Sequence, residues 1–212
     1  MSLFRNKYRI EPNRWQFWDY SAPASYFITI VVYGRMEIFG QIDNKKMILS
    51  DVGKIIADHF VEIQSYHKRI ILDEWVIMPN HIHCIITLGG YDFDNRITNM
   101  GKNMDIVEKI HEFSLQSQPQ PTPQRPYQNQ PTNDEIKQYR EKRRKMLIPK
   151  IIGKFQQQTS KQINLLNESP GTKNWQPNYH DHVIRNIEEH NRIKFYIKNN
   201  PANWTDDTFY NE

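Results

Sequence analysis

The chain has 212 residues, of which 38% are hydrophobic and 25% are charged, a length that suits one domain with an insertion. No apolar run approaches the ~18 residues that cross a bilayer, the N-terminal residues lack the apolar segment of a secretory signal, and a single cysteine excludes an intramolecular disulfide framework. These features predict a cytoplasmic protein without a membrane partner, and the net charge of +4 permits a polyanionic partner such as nucleic acid.

The first half of the chain predicts strands around one helix. Residues 26–33 are β-branched and aromatic, which is typical of a strand. Residues 49–66 carry apolar side chains at helical spacing, with Ser50 as a suitable N-cap. A turn with a short return is predicted over residues 35–44. Two further strands are predicted over residues 69–78 and 81–88.

The second half contains a long polar segment. Residues 116–131 hold five prolines and six glutamines, which predicts a disordered loop because such a composition buries little apolar surface. We interpret residues 91–148 as a polar, partly disordered insertion within a single domain that spans residues 1–212. One alternative function for the chain is that of a scaffold protein, in which the segment rich in glutamine and proline recruits partners.

Two helices are predicted after the insertion. One begins in the basic stretch or at Pro149 and ends at Leu166. The last helix begins near Asn186 and ends before Pro201, and we expect a non-helical backbone at Asn200 because a following proline disfavours helical geometry. The order of strand, helix, strands, helix and helix predicts an α+β sandwich, in which helices pack on a mainly antiparallel sheet.

The sharpest motif is His81-Ile82-His83, within a predicted strand. Side chains alternate between faces along a strand, so both imidazoles point to the same side, about 6–7 Å apart. Two imidazoles placed in this way can hold one divalent cation. The alternative is a pair of polar residues on the solvent face of an edge strand.

Other polar residues have both a functional and a structural interpretation. Tyr196 and Asn200 are four residues apart on the last helix, which brings a phenol and a carboxamide to one face, although packing and C-capping are the ordinary roles. His180 and His182 are candidates for a second metal pair or for contacts to nucleic acid, but we favour a solvated turn leading into a helix. The basic run at 142–145 suits either a phosphate backbone or a solvated helix face.

Short strings along the chain carry a family resemblance. They include Trp18-Asp19-Tyr20-Ser21, Leu49-Ser50-Asp51-Val52-Gly53, Met78-Pro79-Asn80-His81-Ile82-His83, Ile151-Ile152-Gly153-Lys154-Phe155, Trp175-Gln176-Pro177-Asn178-Tyr179 and Asp181-His182-Val183-Ile184-Arg185-Asn186. With Tyr196 and Asn200-Pro201, this collinear set resembles the HUH single-tyrosine transposases, and among them the REP-associated tyrosine transposases.

The resemblance implies a ferredoxin-like fold and a role for each matching residue. His81, His83 and Asn200 would bind Mg²⁺ or Mn²⁺, and Tyr196 would be the nucleophile, with Tyr179 a weaker candidate. The implied activity is metal-dependent cleavage and rejoining of single-stranded or hairpin DNA through a covalent 5′-phosphotyrosine. A homodimer is possible in such a family.

Two further expectations concern DNA binding. Lys154 and Arg185 are candidate contacts to the single strand, because basic side chains suit its phosphates. The alternative to an enzyme is a non-catalytic protein on the same fold that binds hairpin DNA.

Overall fold

The computed structural model describes residues 18–90 and 132–210, together with two short strands near the N-terminus. These are β1 (Leu3–Phe4) and β2 (Lys7–Tyr8), which pair in antiparallel fashion. The predicted disordered loop over 116–131, and most of the predicted insertion over 91–148, lie outside the described residues.

The described strands form a four-stranded sheet and a separate hairpin. In chain order they are β3 (Ala24–Val31), β4 (Gly40–Asp43), β5 (Lys46–Leu49), β6 (Ile70–Ile77), β7 (His81–Leu88) and β8 (His180–Ile184). The sheet has the order β6-β7-β3-β8, and every neighbouring pair is antiparallel. Strands β4 and β5 form the hairpin, which supplies the short return predicted after residue 35.

Four helices are described. They are α1 (Asp51–Val61), α2 (Asn133–Arg143), α3 (Leu147–Leu166) and α4 (Ile187–Asn199). The predicted N-cap of α1 is confirmed, since Ser50 Oγ accepts a hydrogen bond from the Gly53 backbone at 3.0 Å. Short 3₁₀ turns follow α1 and α4, over Glu62–Tyr66 and Asn200–Asp206. Among the described helices, none is long and apolar enough to span a bilayer.

The connections confirm the predicted fold class. The elements β3, α1, β6, β7, α3 and β8 follow one another as βαββαβ, and β7 lies between the two strands that α1 connects. This is the split βαβ arrangement of ferredoxin-like folds.

The turn predicted around His180 and His182 is wrong, because these residues belong to β8 and pair with β3. The strand is five residues long and polar at its start, so its alternation is too short to recognise.

The sheet has a helix layer on each face. Helices α1 and α3 pack over the larger core, where the Phe155 ring lies 5.3 Å from Phe60 and 5.6 Å from Trp175. Helix α4 packs on the opposite face, over a smaller cluster that contains Ile85 and Ile197. Because Ile82 and Cys84 point into the larger core, the alternation of β7 directs His81 and His83 toward α4.

The backbone at Asn200 differs from the prediction. Asn200 keeps helical angles (φ −55°, ψ −45°), and the chain continues into the 3₁₀ turn. Pro201 is tolerated at the second position of that turn, within the first turn of the helix, where its missing N–H is not needed. Trp204, within this turn, is buried at 8% exposure. Its burial accompanies the helical backbone at Asn200 and opposes the preference of a residue before proline for an extended backbone.

Candidate active site

The two histidines of β7 form a buried pair. His81 is 0% exposed and His83 is 2% exposed, and their Nε2 atoms lie 2.9 Å apart. Strand β7 is internal to the sheet, so the alternative of a solvent-facing pair on an edge strand is wrong. That alternative could not be excluded from the sequence, because strand pairing is not visible in the spacing of side chains.

Each histidine has a hydrogen-bond partner at its other ring nitrogen. His81 Nδ1 lies 2.8 Å from Asn80 Oδ1, and His83 Nδ1 lies 2.8 Å from the hydroxyl of Thr29 on β3. Contacts of this kind orient imidazoles that bind metals. They direct both Nε2 atoms toward the same point above the sheet.

Tyr196 lies beside this pair. Its hydroxyl is 3.1 Å from His83 Nε2 and donates a hydrogen bond to Asp207 Oδ2 at 3.2 Å. The phenol ring makes an edge contact with Phe27, at 6.2 Å between ring centroids, and is 42% exposed. Helix α4 therefore places the predicted tyrosine at the histidine pair while one side of its ring faces solvent.

Asp207 completes the polar group. Its Oδ2 atom lies 3.9 Å from the Nε2 atom of both His81 and His83. Sequence analysis missed this residue, because nothing in its spacing relates it to the histidines and acidic pairs such as Asp206-Asp207 are common on surfaces. In the described part of the chain, His81, His83 and Asp207 form a group of three potential metal ligands.

Asn200, the third metal ligand that the resemblance implies, lies beside Asp207. Its Nδ2 atom donates a hydrogen bond to Asp207 Oδ2 at 3.0 Å. Its Oδ1 atom is buried and accepts no hydrogen bond from the residues that the structure describes. Asn200 therefore contacts the carboxylate of the group directly, and its amide oxygen is the unsatisfied acceptor nearby.

Burial and charge set the protonation of the group. Burial lowers the pKa of both histidines, and the proximity of His83 lowers that of His81 further, so both rings are neutral at pH 7. Burial opposes ionisation of Asp207, but hydrogen bonds from its neighbours outweigh it and lower the pKa of the carboxyl. Burial and the Asp207 carboxylate raise the pKa of Tyr196 to about 12. The site thus holds a carboxylate, two neutral imidazoles and a protonated phenol.

This donor set fits a divalent cation. Neutral imidazole and carboxylate are both metal-binding forms, and their combination suits ions such as Mn²⁺ or Zn²⁺, with Mg²⁺ favouring the oxygen ligands. Ligands about 2.1 Å from an octahedral ion lie about 3 Å from one another, close to the 2.9 Å between the two Nε2 atoms. His81, His83 and Asp207 would hold the ion, and the buried Oδ1 atom of Asn200, whose Nδ2 atom contacts Asp207, is a candidate for a further ligand.

The chain beyond α4 covers the histidines. The His81 ring lies 4.7 Å from the ring of Phe209 and 5.9 Å from that of Trp204. A cleft opens on the Tyr196 side; it is lined by Tyr196, Asn200, Asn203, Asp206, Asp207 and Thr208. Solvent therefore reaches the phenol, whereas the imidazoles are buried and the side chain of Asp207 is only 1% exposed.

Other predicted residues lie away from the group. Tyr179 belongs to the larger core, where Arg143 donates a hydrogen bond to its hydroxyl at 3.3 Å. Lys154, on α3, places its ammonium 3.9 Å from the centroid of the Tyr66 ring, so it belongs to the opposite helix layer. Arg185 follows β8 and is exposed, and its backbone N–H donates to Glu189 at 2.8 Å.

The second histidine pair does not repeat the arrangement of the first. His182 Nε2 lies 2.9 Å from a carboxylate oxygen of Glu189, at the start of α4. His180 is exposed at the sheet edge, with its ring 6.1 Å from that of Phe209. His182 therefore pairs strand β8 with α4.

Comparisons with known proteins give distant similarities. No family model matches the chain. A protein of Haemophilus influenzae (strain ATCC 51907 / DSM 11121 / KW20 / Rd), named only as an uncharacterized protein, is 27% identical over 197 residues, which cover 93% of this chain and 91% of that protein. A solved structure described as a REP-associated tyrosine transposase bound to a REP hairpin is 16% identical and covers 96% of this chain and 74% of that one, with a TM-score of 0.40. At this distance neither similarity assigns an activity.

Proposed function

We propose that the protein is a metal-dependent transposase or endonuclease that cleaves and rejoins single-stranded DNA through a covalent tyrosine adduct. The observation that carries the proposal is the Tyr196 hydroxyl, 3.1 Å from His83 Nε2 and hydrogen-bonded to Asp207. A phenol in contact with a candidate metal group is the arrangement that nucleophilic attack on a phosphodiester requires. The resemblance of the sequence to single-tyrosine transposases supports the same reaction.

The proposed reaction uses one nucleophile, and the phosphotyrosine adduct conserves the energy of the broken phosphodiester bond for rejoining. The Tyr196 oxygen attacks the phosphorus, the bond from phosphorus to the 3′ oxygen breaks, and the DNA 5′ end stays attached as a phosphotyrosine. The phenol loses its proton and the departing 3′ oxygen gains one, so the protons balance. Rejoining is the reverse attack by a 3′-hydroxyl.

The side chains of the site have separate tasks in this proposal. A bound Mg²⁺ or Mn²⁺ would supply positive charge that neutralises a phosphate oxygen and favours the phenolate. His81, His83 and Asp207 would hold that ion, with the unsatisfied Asn200 Oδ1 atom as a further candidate ligand. Asn200 Nδ2 orients the Asp207 carboxylate through the 3.0 Å hydrogen bond. Asp207 also accepts the hydrogen bond of the attacking hydroxyl, which fixes the direction of the phenol.

The first test is a covalent-adduct assay with the variant Tyr196→Phe. Wild-type protein is mixed with labelled hairpin DNA that carries the single-stranded flanks of its own gene, in Mn²⁺ or Mg²⁺ and in EDTA. We expect a metal-dependent, SDS-stable protein–DNA band with the wild type and none with Tyr196→Phe, because removal of the hydroxyl removes the nucleophile.

Tyr179→Phe is the matched control for this assay. It deletes the hydroxyl of a tyrosine in the larger core, and we expect the adduct to persist at the wild-type level. A band that survives in Tyr196→Phe but not in Tyr179→Phe would transfer the nucleophile to Tyr179 and contradict the proposal.

A second candidate function is a non-catalytic protein that binds hairpin DNA on the same fold. The observation that favours it is the burial of His81 and His83 beneath Trp204 and Phe209. A phosphate reaches the imidazoles only when residues 204–209 move. Tight hairpin binding by the wild type, with no adduct in either metal, would favour this function.

A further inference from the structure

The fold divides the basic run at Lys142–Lys145 into one structural residue and three exposed ones. Arg143 lies 3.0 Å from a carboxylate oxygen of the buried Asp181, and its guanidinium stacks 4.7 Å from the centroid of the Tyr20 ring. Arg143 therefore fastens the end of α2 to β8. Lys142, Arg144 and Lys145 are exposed.

Helix α2 is attached to the protein along one side. The Tyr139 hydroxyl donates to the backbone oxygen of Trp18 at 2.9 Å, and Arg143 is four residues further along the same face. None of the residues of α2 is buried, so the remainder of the helix surface faces solvent.

Three basic residues form an exposed stripe beside these attachments, about 100° around the helix axis from Tyr139 and Arg143. Lys137, Arg140 and Arg144 have the i, i+3, i+7 spacing that forms one stripe along a helix, and all three are exposed. Arg144 continues the helix with φ −58° and ψ −21°. Over seven residues the stripe extends about 10.5 Å along the helix axis.

The charge of this stripe is not neutralised by the described part of the protein. No acidic side chain within residues 18–90 and 132–210 forms an ion pair with Lys137, Arg140 or Arg144. The acidic residues of α2 lie mostly at its start, where Glu135 takes part in a capping box with Thr132. The stripe is therefore available to an external polyanion.

We propose that the stripe formed by Lys137, Arg140 and Arg144 binds the phosphate backbone of base-paired DNA. This inference rests on the proposed function and names the part of the substrate that α2 contacts, the stem of a hairpin. Duplex DNA carries one negative charge per about 1.7 Å of its axis when both strands are counted, so a duplex segment as long as the stripe holds about six phosphates for the three cations. Unpaired bases would instead need an exposed aromatic ring for stacking, and the one aromatic residue of α2, Tyr139, is half-buried and attached to Trp18.

The test measures the salt dependence of DNA binding by the full chain in EDTA, which prevents cleavage. A labelled hairpin is titrated with the wild type and with the triple variant Lys137→Gln/Arg140→Gln/Arg144→Gln at several KCl concentrations between about 50 and 200 mM. Glutamine keeps helix propensity, and circular dichroism verifies that the variant is folded. We expect the slope of log affinity against log salt to fall by about 2.7, since each duplex phosphate contact contributes about 0.9.

A matched triple variant removes the same charge elsewhere. Lys45→Gln/Lys46→Gln/Lys161→Gln alters three exposed lysines on the β4–β5 hairpin and on α3, and we expect its slope to stay within one unit of the wild type. An equal decrease of the salt slope in both triple variants, or an unchanged slope in the α2 triple variant, overturns the proposal. The same loss on an unpaired strand of equal length overturns the assignment to duplex, and wild-type binding to anionic vesicles in place of hairpin DNA overturns the choice of DNA.

The adduct assay separates this proposal from the proposed function. At DNA concentrations that saturate the α2 triple variant, we expect it to form the Tyr196 adduct at the wild-type level. An adduct with an unchanged salt slope refutes the stripe alone. A reduced slope without any adduct in the wild type refutes the catalytic proposal and leaves the stripe intact.

Discussion

At the scale of single residues, Asn80 connects three segments around His81. Its Nδ2 atom lies 3.2 Å from the Arg35 backbone oxygen and 2.7 Å from that of Phe209. An amide NH₂ group donates and never accepts, so the Oδ1 atom must face His81. His81 Nδ1 is then the protonated nitrogen, and its Nε2 atom keeps the lone pair that a metal needs.

This geometry predicts that Asn80→Ala weakens metal binding. The variant removes the acceptor that fixes the His81 tautomer, and losses of such partners typically reduce metal affinity by about 10–100-fold. Isothermal titration with Mn²⁺ alone, without DNA, measures the effect.

Asn164→Ala provides the control for that titration, because Asn164 is also hydrogen-bonded, to the Thr172 backbone oxygen at 3.0 Å, but belongs to α3. Equal Mn²⁺ affinity of Asn80→Ala and the wild type would contradict the role of Asn80. A wild type that binds no Mn²⁺ would contradict the metal site itself.

At the scale of elements, an irregularity in β6 holds helix α4 in place. The pairing of β6 with β7 shifts register between Leu72 and Trp75, and Asp73 lies in that interval. Its two carboxylate oxygens lie 2.8 Å from His190 Nε2 and 2.6 Å from Lys194 Nζ, both on α4. Because Tyr196 is on the same helix, these contacts help to fix its position over the sheet.

We expect Asp73→Asn to destabilise the fold in a pH-dependent way. Burial alone would raise the pKa of Asp73, but the His190 and Lys194 contacts outweigh it and lower the pKa. A lowered folded-state pKa stabilises the protein above the unfolded value of about 3.9, and that stabilisation is lost as the pH falls through the folded value. The variant should lose about 1.5–3 kcal/mol at pH 7.

Urea denaturation of the wild type and Asp73→Asn at pH 7 and at low pH measures this difference. The difference in the free energy of unfolding between the wild type and Asp73→Asn should shrink as the pH falls below about 4. Asp58→Asn, at an exposed position of α1, should change stability by less than about 0.5 kcal/mol. A gap that stays constant over the pH range would show that the Asp73 charge contributes nothing.

At the scale of the whole molecule, stability depends on the core between the sheet and the α1–α3 layer. Phe155 is fully buried there, between Phe60 and Trp175. Truncation of such a ring removes apolar contact and leaves a cavity.

We expect Phe155→Ala to cost about 3–5 kcal/mol in the free energy of unfolding. Leu165→Ala, on the same helix at a position that is 73% exposed, should cost less than about 0.5 kcal/mol. Urea denaturation followed by circular dichroism compares the two. Similar losses for both variants would contradict the assignment of the core.

Several features of this protein follow from the sequence alone. The β-branched runs, the apolar spacing of α1 and the Ser50 cap predict the elements, because helix and strand periodicities are local properties of the backbone. The same geometry places His81 and His83 on one face of a strand. The order of the elements then limits the fold to an α+β sandwich.

The tertiary structure decided what surrounds the histidines. Strand β7, which carries both histidines, is internal because it pairs with β6 on one side and β3 on the other. The turn after α4 brings Asp207 to the histidines, and Asn200 contacts the Asp207 carboxylate. Packing of α2 against β8 likewise turns Arg143 inward. These contacts join segments far apart in the chain, and local spacing does not encode them because they depend on how whole elements pack.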